Sequence, residues 1–271
     1  DSKGRPQVET PTQRSQKYTD MFRWSGQLLT DTQVNDLSVW DSGNLSKVDA
    51  TKGAITGLRQ IGYTLTILQW ANINKTFLGR RQVSNADGST QLLVTDNLIG
   101  VINPSEEGFG TKHPGSVVVN GDNLYFWDTL RGKLVLSATN GIVPISDKAF
   151  MARYFRDKSD VINLSANNEI ITGVDQKYGD IYFTVRNATD NTEETIYFNE
   201  NQRAFKYFVD MEKGAGGTKK IIDCYGWCGQ SFFTFMNGDT WQQGLLLDGS
   251  SNPKYLSLFG EQKSLVVETI G

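Results

Sequence analysis

What most restricts the folding of this chain is one pattern that returns four times. It is a short apolar strand, a turn with Gly or Asn, an aromatic-rich strand, a second turn, then one or two amphipathic strands. The copies lie at 54–83, 115–146, 169–210 and 219–248, and their second strands read TLTILQW, LYFWDT, IYFTVR and SFFTFM. The first strands start roughly 50–60 residues apart, the period of a propeller blade with long outer loops. A lone meander buries one face poorly and is marginal by itself. Stacked about 10 Å apart, meanders cover each other's aromatic strands, and closing the stack into a ring removes the two uncovered end faces.

The chain ends supply material for such a closure. KSLVVETIG (263–271) reads as a fifth inner strand with nothing after it, and 21–43 as outer strands with no inner strand before them. The pattern therefore predicts an all-β fold, a five-bladed β-propeller of antiparallel strands closed between its N- and C-terminal segments. Residues 1–17 are expected to be a polar tail or linker and 18–271 a single domain. An open β-sandwich is the alternative, and the recurrence argues against it. The best helical spacing, DKAFMARYFRD at 147–157, is short and equally compatible with a loop.

Composition narrows the function classes. A chain of 271 residues with 38% apolar content can bury a core without staples. The net charge of −3, with both signs scattered, provides no basic footprint for nucleic acid. No stretch approaches a membrane span, and no secretory leader is visible. The start on Asp1 rather than Met suggests a processed product or a piece of a longer protein. Cys224 and Cys228 are the only cysteines, too few for a disulfide framework, which fits a reducing or neutral compartment. The CYGWC segment reads as a turn with two small buried residues on its flanks. His113 is the only histidine, so a four-ligand Cys/His zinc site cannot be assembled within one chain. No cofactor or metal is expected.

Two chemical alternatives remain. A propeller glycoside hydrolase needs two carboxylates roughly 5–9.5 Å apart near its axis. Asp175 and Asp223, near the ends of two inner strands, and Glu268 in the closing strand are the candidates. A carbohydrate-binding propeller would use exposed aromatics. Trp70 and Trp127 sit in aligned second strands and read as packing, which leaves Trp227 and Trp241, near turns, for ligand contact. GAGGTKK (214–220) lacks the spacing of a phosphate loop. DNTEE (190–194) and NADGST (85–90) do not follow a calcium ligand ladder. Arg80–Arg81 and Lys219–Lys220 read as solvated edge charges, and His113 as a loop histidine. In the clearest copy, VVVNGDNLYFWDTLRGKL, Asp122 fills a turn slot. Asp128 has no counterpart in the other copies and is expected to form a local turn hydrogen bond.

The order of motifs over about 54–210 resembles a segment of the large muzzle, or nozzle, proteins in the tails of crAss-like phages. The residues carrying the likeness are AITGLRQIGYTLTILQWANINKTFLGR, then GFGTKHPGSVVVNGDNLYFWDTLRGKLVLSATNGIVPISDKAFMARYF, then GVDQKYGDIYFTVRN and TIYFNENQRAFKYFVD. The resemblance implies a propeller module of a short-tailed phage tail, non-enzymatic and located in the virion after assembly in the host cytoplasm. Its implied partners are other tail subunits and further copies of itself, as a hexameric ring around the DNA exit channel, with neither a membrane nor sequence-specific nucleic acid. It carries no catalytic residues over to this chain.

Overall fold

The computed structural model describes residues 17–26, 35–84, 90–138, 141–148, 151–187, 192–209, 222–236, 239–242 and 261–262. The chain divides into two compact units, Asp1–Ile55 and Thr56–Gly271. In the first unit β1 (Met21–Arg23) and β2 (Leu45–Lys47) pair antiparallel. The Arg23 guanidinium donates to the carbonyls of Trp40 and Asp41. Asp49 caps a 3-10 turn at Ala50–Lys52 through Thr51.

The second unit is built of antiparallel sheets, one for each recurrence of the pattern. The first contains β3 (Ile55–Ile61), β4 (Thr64–Gln69), β5 (Ile73–Ser84) and β6 (Thr90–Ile99), with β7 (Asn103–Pro104) paired to β5. The second contains β8 (Val118–Asn120), β9 (Asn123–Asp128), β10 (Lys133–Ala138) and β11 (Gly141–Pro144). The third contains β12 (Glu169–Asp175), β13 (Asp180–Asn187), β14 (Thr192–Asn199) and β15 (Ala204–Val209). The fourth contains β16 (Ile222–Cys228), β17 (Ser231–Met236), β18 (Asp239–Gln242) and β19 (Glu261–Gln262). Each runs in chain order from its first strand outward. No sheet is closed on itself among the described residues, and the expected closing strand at 263–271 lies outside them.

Consecutive sheets pack on one another, which explains why the second strands lack the polar–apolar alternation of a half-solvated sheet. Along β9, Leu124 and Phe126 join Leu68 and Ile73 of the first sheet, while Tyr125 and Trp127 join Phe183 and Ile196 of the third. Both faces of β9 are therefore interior. Along β13, Ile181, Phe183 and Val185 face the second sheet. Between them Tyr182 stacks on Tyr225 and Phe232 of the fourth, with ring centroids at 5.9 and 5.1 Å.

The candidate helix at 147–157 is corrected. Two helices form, α1 (Ile145–Lys148) and α2 (Ala152–Asn163), and the second runs six residues beyond the expected end. Its buried residues are Phe155, Ser159 and Ile162, spaced i, i+4 and i+7, so a serine interrupts the stripe that would have announced it. The interruption has a partner. Trp127 Nε1 donates to Ser159 Oγ at 2.8 Å, and Ser159 Oγ donates to the Phe155 carbonyl at 2.6 Å. The Phe155 ring meets the Trp127 indole edge-on at 4.5 Å. Helix α2 thus extends the core shared by the second and third sheets.

Candidate inter-sheet site

The later part of β3, the segment leading into β8, and the first halves of β12 and β16 border a depression of about 550 Å³ whose lining includes Arg59, His113, Glu169, Thr172, Asp223 and Cys224. The segment GFGTKHPGS (108–116) builds one wall, and its glycines are there because backbone comes too close for a side chain. A Cβ on Gly110 would stand 2.3 Å from the Gln69 carbonyl, and one on Gly115 would stand 2.3 Å from the Ile170 carbonyl. Between these contacts the segment closes on itself. His113 N donates to Thr111 Oγ1, Ser116 Oγ donates to the His113 carbonyl at 2.7 Å, and the Thr111 and Ser116 hydroxyls lie 3.0 Å apart. Threonines of the flanking sheets hold it from outside. Thr56 donates to the Thr111 carbonyl and Thr172 to the Gly115 carbonyl, each at 2.9 Å.

Asp128 secures the other end of this segment. One carboxylate oxygen accepts Leu130 N and Arg131 N, each at 3.0 Å, which is the expected turn bond. The other accepts Gly110 N at 3.2 Å and the Arg131 guanidinium at 3.1 Å, so the side chain also ties the 108–116 segment to the second sheet. Asp128 is fully buried. Burial raises its pKa, opposed by the amide donors and by Arg131. Asp122 lies in the exposed turn beside Gly121, whose φ of 56° meets the left-handed geometry that the turn requires.

Arg186 is a hub behind two lining residues, Glu169 and Asp223. Its guanidinium pairs with Glu193 at 3.1 Å, with Glu169 at 3.3 Å and, more distantly, with Asp223 at 3.9 Å, and it donates to the Ile222 carbonyl. Glu193, itself buried, accepts Ile222 N at 3.1 Å. The two side chains therefore satisfy both backbone groups of the first residue of β16, as a neighbouring strand would. On the far side of the third sheet, Glu200 accepts from Asn120, Asn123 and the Tyr125 hydroxyl of the second sheet. None of Arg186, Glu193, Glu200 and Ser159 stands out in the sequence. The one available signal is the opposite-charge pair Arg186 and Glu193 flanking a hairpin turn.

The predicted site residues are dispersed. Gly173 of β12 abuts Tyr225 of β16, and Arg186, opposite Glu169, reaches Ile222. The two strands thus start at the same end. Asp175 lies two residues beyond the Gly173–Tyr225 contact and Asp223 two residues before it, an offset of about 13 Å along the strands. Glu268 lies outside the described residues. Trp227 is half-buried, and the Trp241 side chain is outside the described set. Trp127 is fully buried, as packing requires, but Trp70 is corrected. It stands just past the end of β4, 42% exposed, with Lys112 Nζ 5.4 Å from its ring.

The cysteine reading is also corrected. Both thiols are free and exposed, and they lie in one strand rather than across a turn, roughly 13 Å apart along it. Burial, then Asp223, pushes the Cys224 thiol up, while burial and Lys112 push His113 down. At neutral pH these groups are a protonated thiol and a neutral imidazole. Arg80 lies over the Tyr63 ring at 3.7 Å, and the Arg81 side chain is not described. Residues 85–89, 190–191 and 210–221, which contain NADGS, the first two residues of DNTEE and all of GAGGTKK, are outside the described set. Among the described residues no group of three or more His, Cys, Asp or Glu side chains is arranged to hold a metal ion. No described helix is long and apolar enough to cross a membrane.

The engaged groups of this site join neighbouring sheets. Comparison with known proteins places a family over the same elements. The sequence model of the Crassvirus muzzle protein family matches residues 34–216, well over half of the chain, including the first three sheets and both helices. No curated protein matches the chain.

Proposed function

The chain belongs to the Crassvirus muzzle protein family, and from that premise we propose that it is a non-enzymatic structural protein of the phage tail. Its role is mechanical. The stacked sheets form a stiff body that presents loops to neighbouring tail subunits. The observation that carries this reading is the family match over residues 34–216. The chemistry of the inter-sheet site supports it, because Arg186 and Asp128 spend their charge on joining sheets. The finer picture is a five-bladed propeller, with 18–271 as one domain closed by 263–271. Several copies form a hexameric nozzle ring in the virion tail after assembly in the host cytoplasm. The face-to-face packing of successive meanders favours blades over a two-layer sandwich.

Mass spectrometry of purified virions tests the assignment, with the protein expected at structural stoichiometry. Its absence from virions would remove the assignment. Native mass spectrometry of the purified chain or its full-length parent reads the ring size. Turnover of aryl-glycosides that disappears in Asp175→Asn or Asp223→Asn would instead establish the glycosidase alternative. A glycan-array signal lost in Trp227→Ala or Trp241→Ala would establish the carbohydrate-binding one.

A further inference from the structure

The turn between β4 and β5 holds a tryptophan in solvent. Gln69 N donates to the Asn72 carbonyl at 2.9 Å, and Thr111 N donates to the Gln69 carbonyl at 2.9 Å. Gly110 lies so close to the turn that a Cβ on it would stand 2.7 Å from Asn72 N. Backbone thus clamps the turn from its own strands and from the 108–116 segment, which keeps Trp70 on the outside, 42% exposed. A residue whose only task is to turn the chain is ordinarily small or polar, and an indole left in water forfeits the gain of burial. Among the described residues no acceptor serves its ring N–H, in contrast to Trp127, whose Nε1 is bonded to Ser159.

Cations stand beside this indole. Lys112 Nζ lies 5.4 Å from its ring centroid, and among the described residues no carboxylate pairs with that ammonium. Next to Ala71 the surface is made by Gly108, whose φ is 67°. A Cβ there would stand 3.7 Å from the Ala71 carbonyl and 3.4 Å from Arg131 Nη2, so only bare backbone separates the turn from that guanidinium. Arg131 Nη1 is held by Asp128, while Nη2 has no partner among the described residues and the side chain reaches solvent. The nearby acids leave these cations available. Asp128 is buried, and Glu107 accepts from the Ser105 hydroxyl. Glu106, on the same approach to Gly108, is exposed.

We propose that Trp70, Lys112 and Arg131 form a surface subsite for an acidic sugar, a uronate unit of a polysaccharide. The apolar face of the pyranose packs on the indole, a sugar hydroxyl accepts the free ring N–H, and the carboxylate takes Lys112 or, across Gly108, Arg131. An indole supplies wide contact area with few rotors to freeze, and the clamped turn fixes it before the ligand arrives. Nucleic acid would require a track of cations along its phosphates, and two cations on a chain of net charge −3 do not make one. An acidic peptide would take a strand edge or a groove, whereas Trp70 stands on a hairpin turn. Sugar contact thereby moves from the half-buried Trp227 to Trp70. The subsite does not depend on the tail role proposed above.

Isothermal titration of the full chain with trigalacturonate, and with maltotriose as the neutral control, tests this. Saturable binding of trigalacturonate is expected, tighter than that of maltotriose by about tenfold or more. Trp70→Ala should weaken it by about tenfold or more. Lys112→Ala should weaken it by about threefold or more and flatten its salt dependence, while Lys112→Arg retains it and Trp227→Ala binds like the wild type. No saturable binding, equal binding of the two sugars, or full binding by Trp70→Ala overturns the proposal. Tighter binding of oligothymidylate or of oligoglutamate than of trigalacturonate also overturns it, in favour of a nucleic acid or a peptide. Circular dichroism of each variant separates lost contact from lost fold, and should Trp70→Ala misfold, Lys112→Glu decides by the same loss or retention of binding.

Discussion

The triplet Ile-Thr-Gly occurs twice, at 55–57 in β3 and at 171–173 in β12, and the two glycines should respond oppositely to the same substitution. A Cβ on Gly173 would fall 2.3 Å from Tyr225 Cβ and 2.5 Å from its Cγ. These atoms belong to the base of a ring that is stacked on Tyr182 and Phe232 and cannot swing aside. A Cβ on Gly57 would meet Leu68 Cδ1 at 3.8 Å, an ordinary contact. Neither glycine has a positive φ, so backbone strain does not enter. Gly173→Ala is therefore an overpacking change costing about 1–3 kcal/mol. The stiffer unfolded chain returns about 0.4–1 kcal/mol of that cost. Gly57→Ala keeps only the second effect and should be neutral or stabilising by about 0.4–1 kcal/mol. In urea titrations with a slope of about 2 kcal/mol per molar, the two midpoints should separate by roughly 0.5–1.5 M. Near-ultraviolet circular dichroism from the tyrosine stack should change in Gly173→Ala alone. Equal midpoints, or a stabilised Gly173→Ala, would refute the packing of β12 against β16 on which the inter-sheet site depends.

Ser159→Ala leaves Trp127 Nε1 buried without its acceptor, a loss of about 1–3 kcal/mol that alanine's helix propensity offsets by about 0.5 kcal/mol. In a Trp127→Phe background the same substitution should be nearly neutral, and a full-sized cost there would show that the indole is not the partner. Arg186→Ala removes the guanidinium from the Glu193 carboxylate, whose side chain is 3% exposed. The cost of breaking a buried pair is about 3–5 kcal/mol, reduced toward about 2–4 because the guanidinium retains some solvent contact. Exchange of the Ile222 amide should quicken with it, and an Ile222 amide as protected as in the wild type would count against the hub.

Much of the architecture was legible because burial on both faces leaves a mark that no other arrangement leaves. LYFWDT and IYFTVR keep apolar side chains where a half-solvated strand would alternate, and this predicts sheets on either side. The turns were legible for a related reason, since Asn120–Asn123 and Leu130–Gly132 need residues that tolerate left-handed backbone. Helix α2 was under-read because Ser159 occupies a core position. The buried hydroxyl is satisfied there by the Phe155 carbonyl and by the distant indole of Trp127, 32 positions earlier. Trp70 was misplaced by the same kind of gap. Alignment by type put it inside a strand, whereas β4 ends at Gln69 and the tight turn to Asn72 turns the indole outward.

The charged groups were harder to read, because a carboxylate's role depends on what the fold brings to it rather than on its neighbours in sequence. Asp175 and Asp223 looked like a pair because each lies near the end of an inner strand. Asp175 lies at the end of β12 and Asp223 near the start of β16, and strands that begin at one end hold such residues apart. Glu193, which looked like part of an acidic loop, turned out to be the buried partner of Arg186. The same geometry separates two kinds of carboxylate that sequence cannot distinguish. Glu193 and Asp128 are buried against guanidinium and amide donors, so removing their partners should weaken the links between sheets. Asp175 is buried with its carboxylate on the Lys177 amide of its own turn, so Asp175→Asn, which keeps an acceptor there, should leave those links in place.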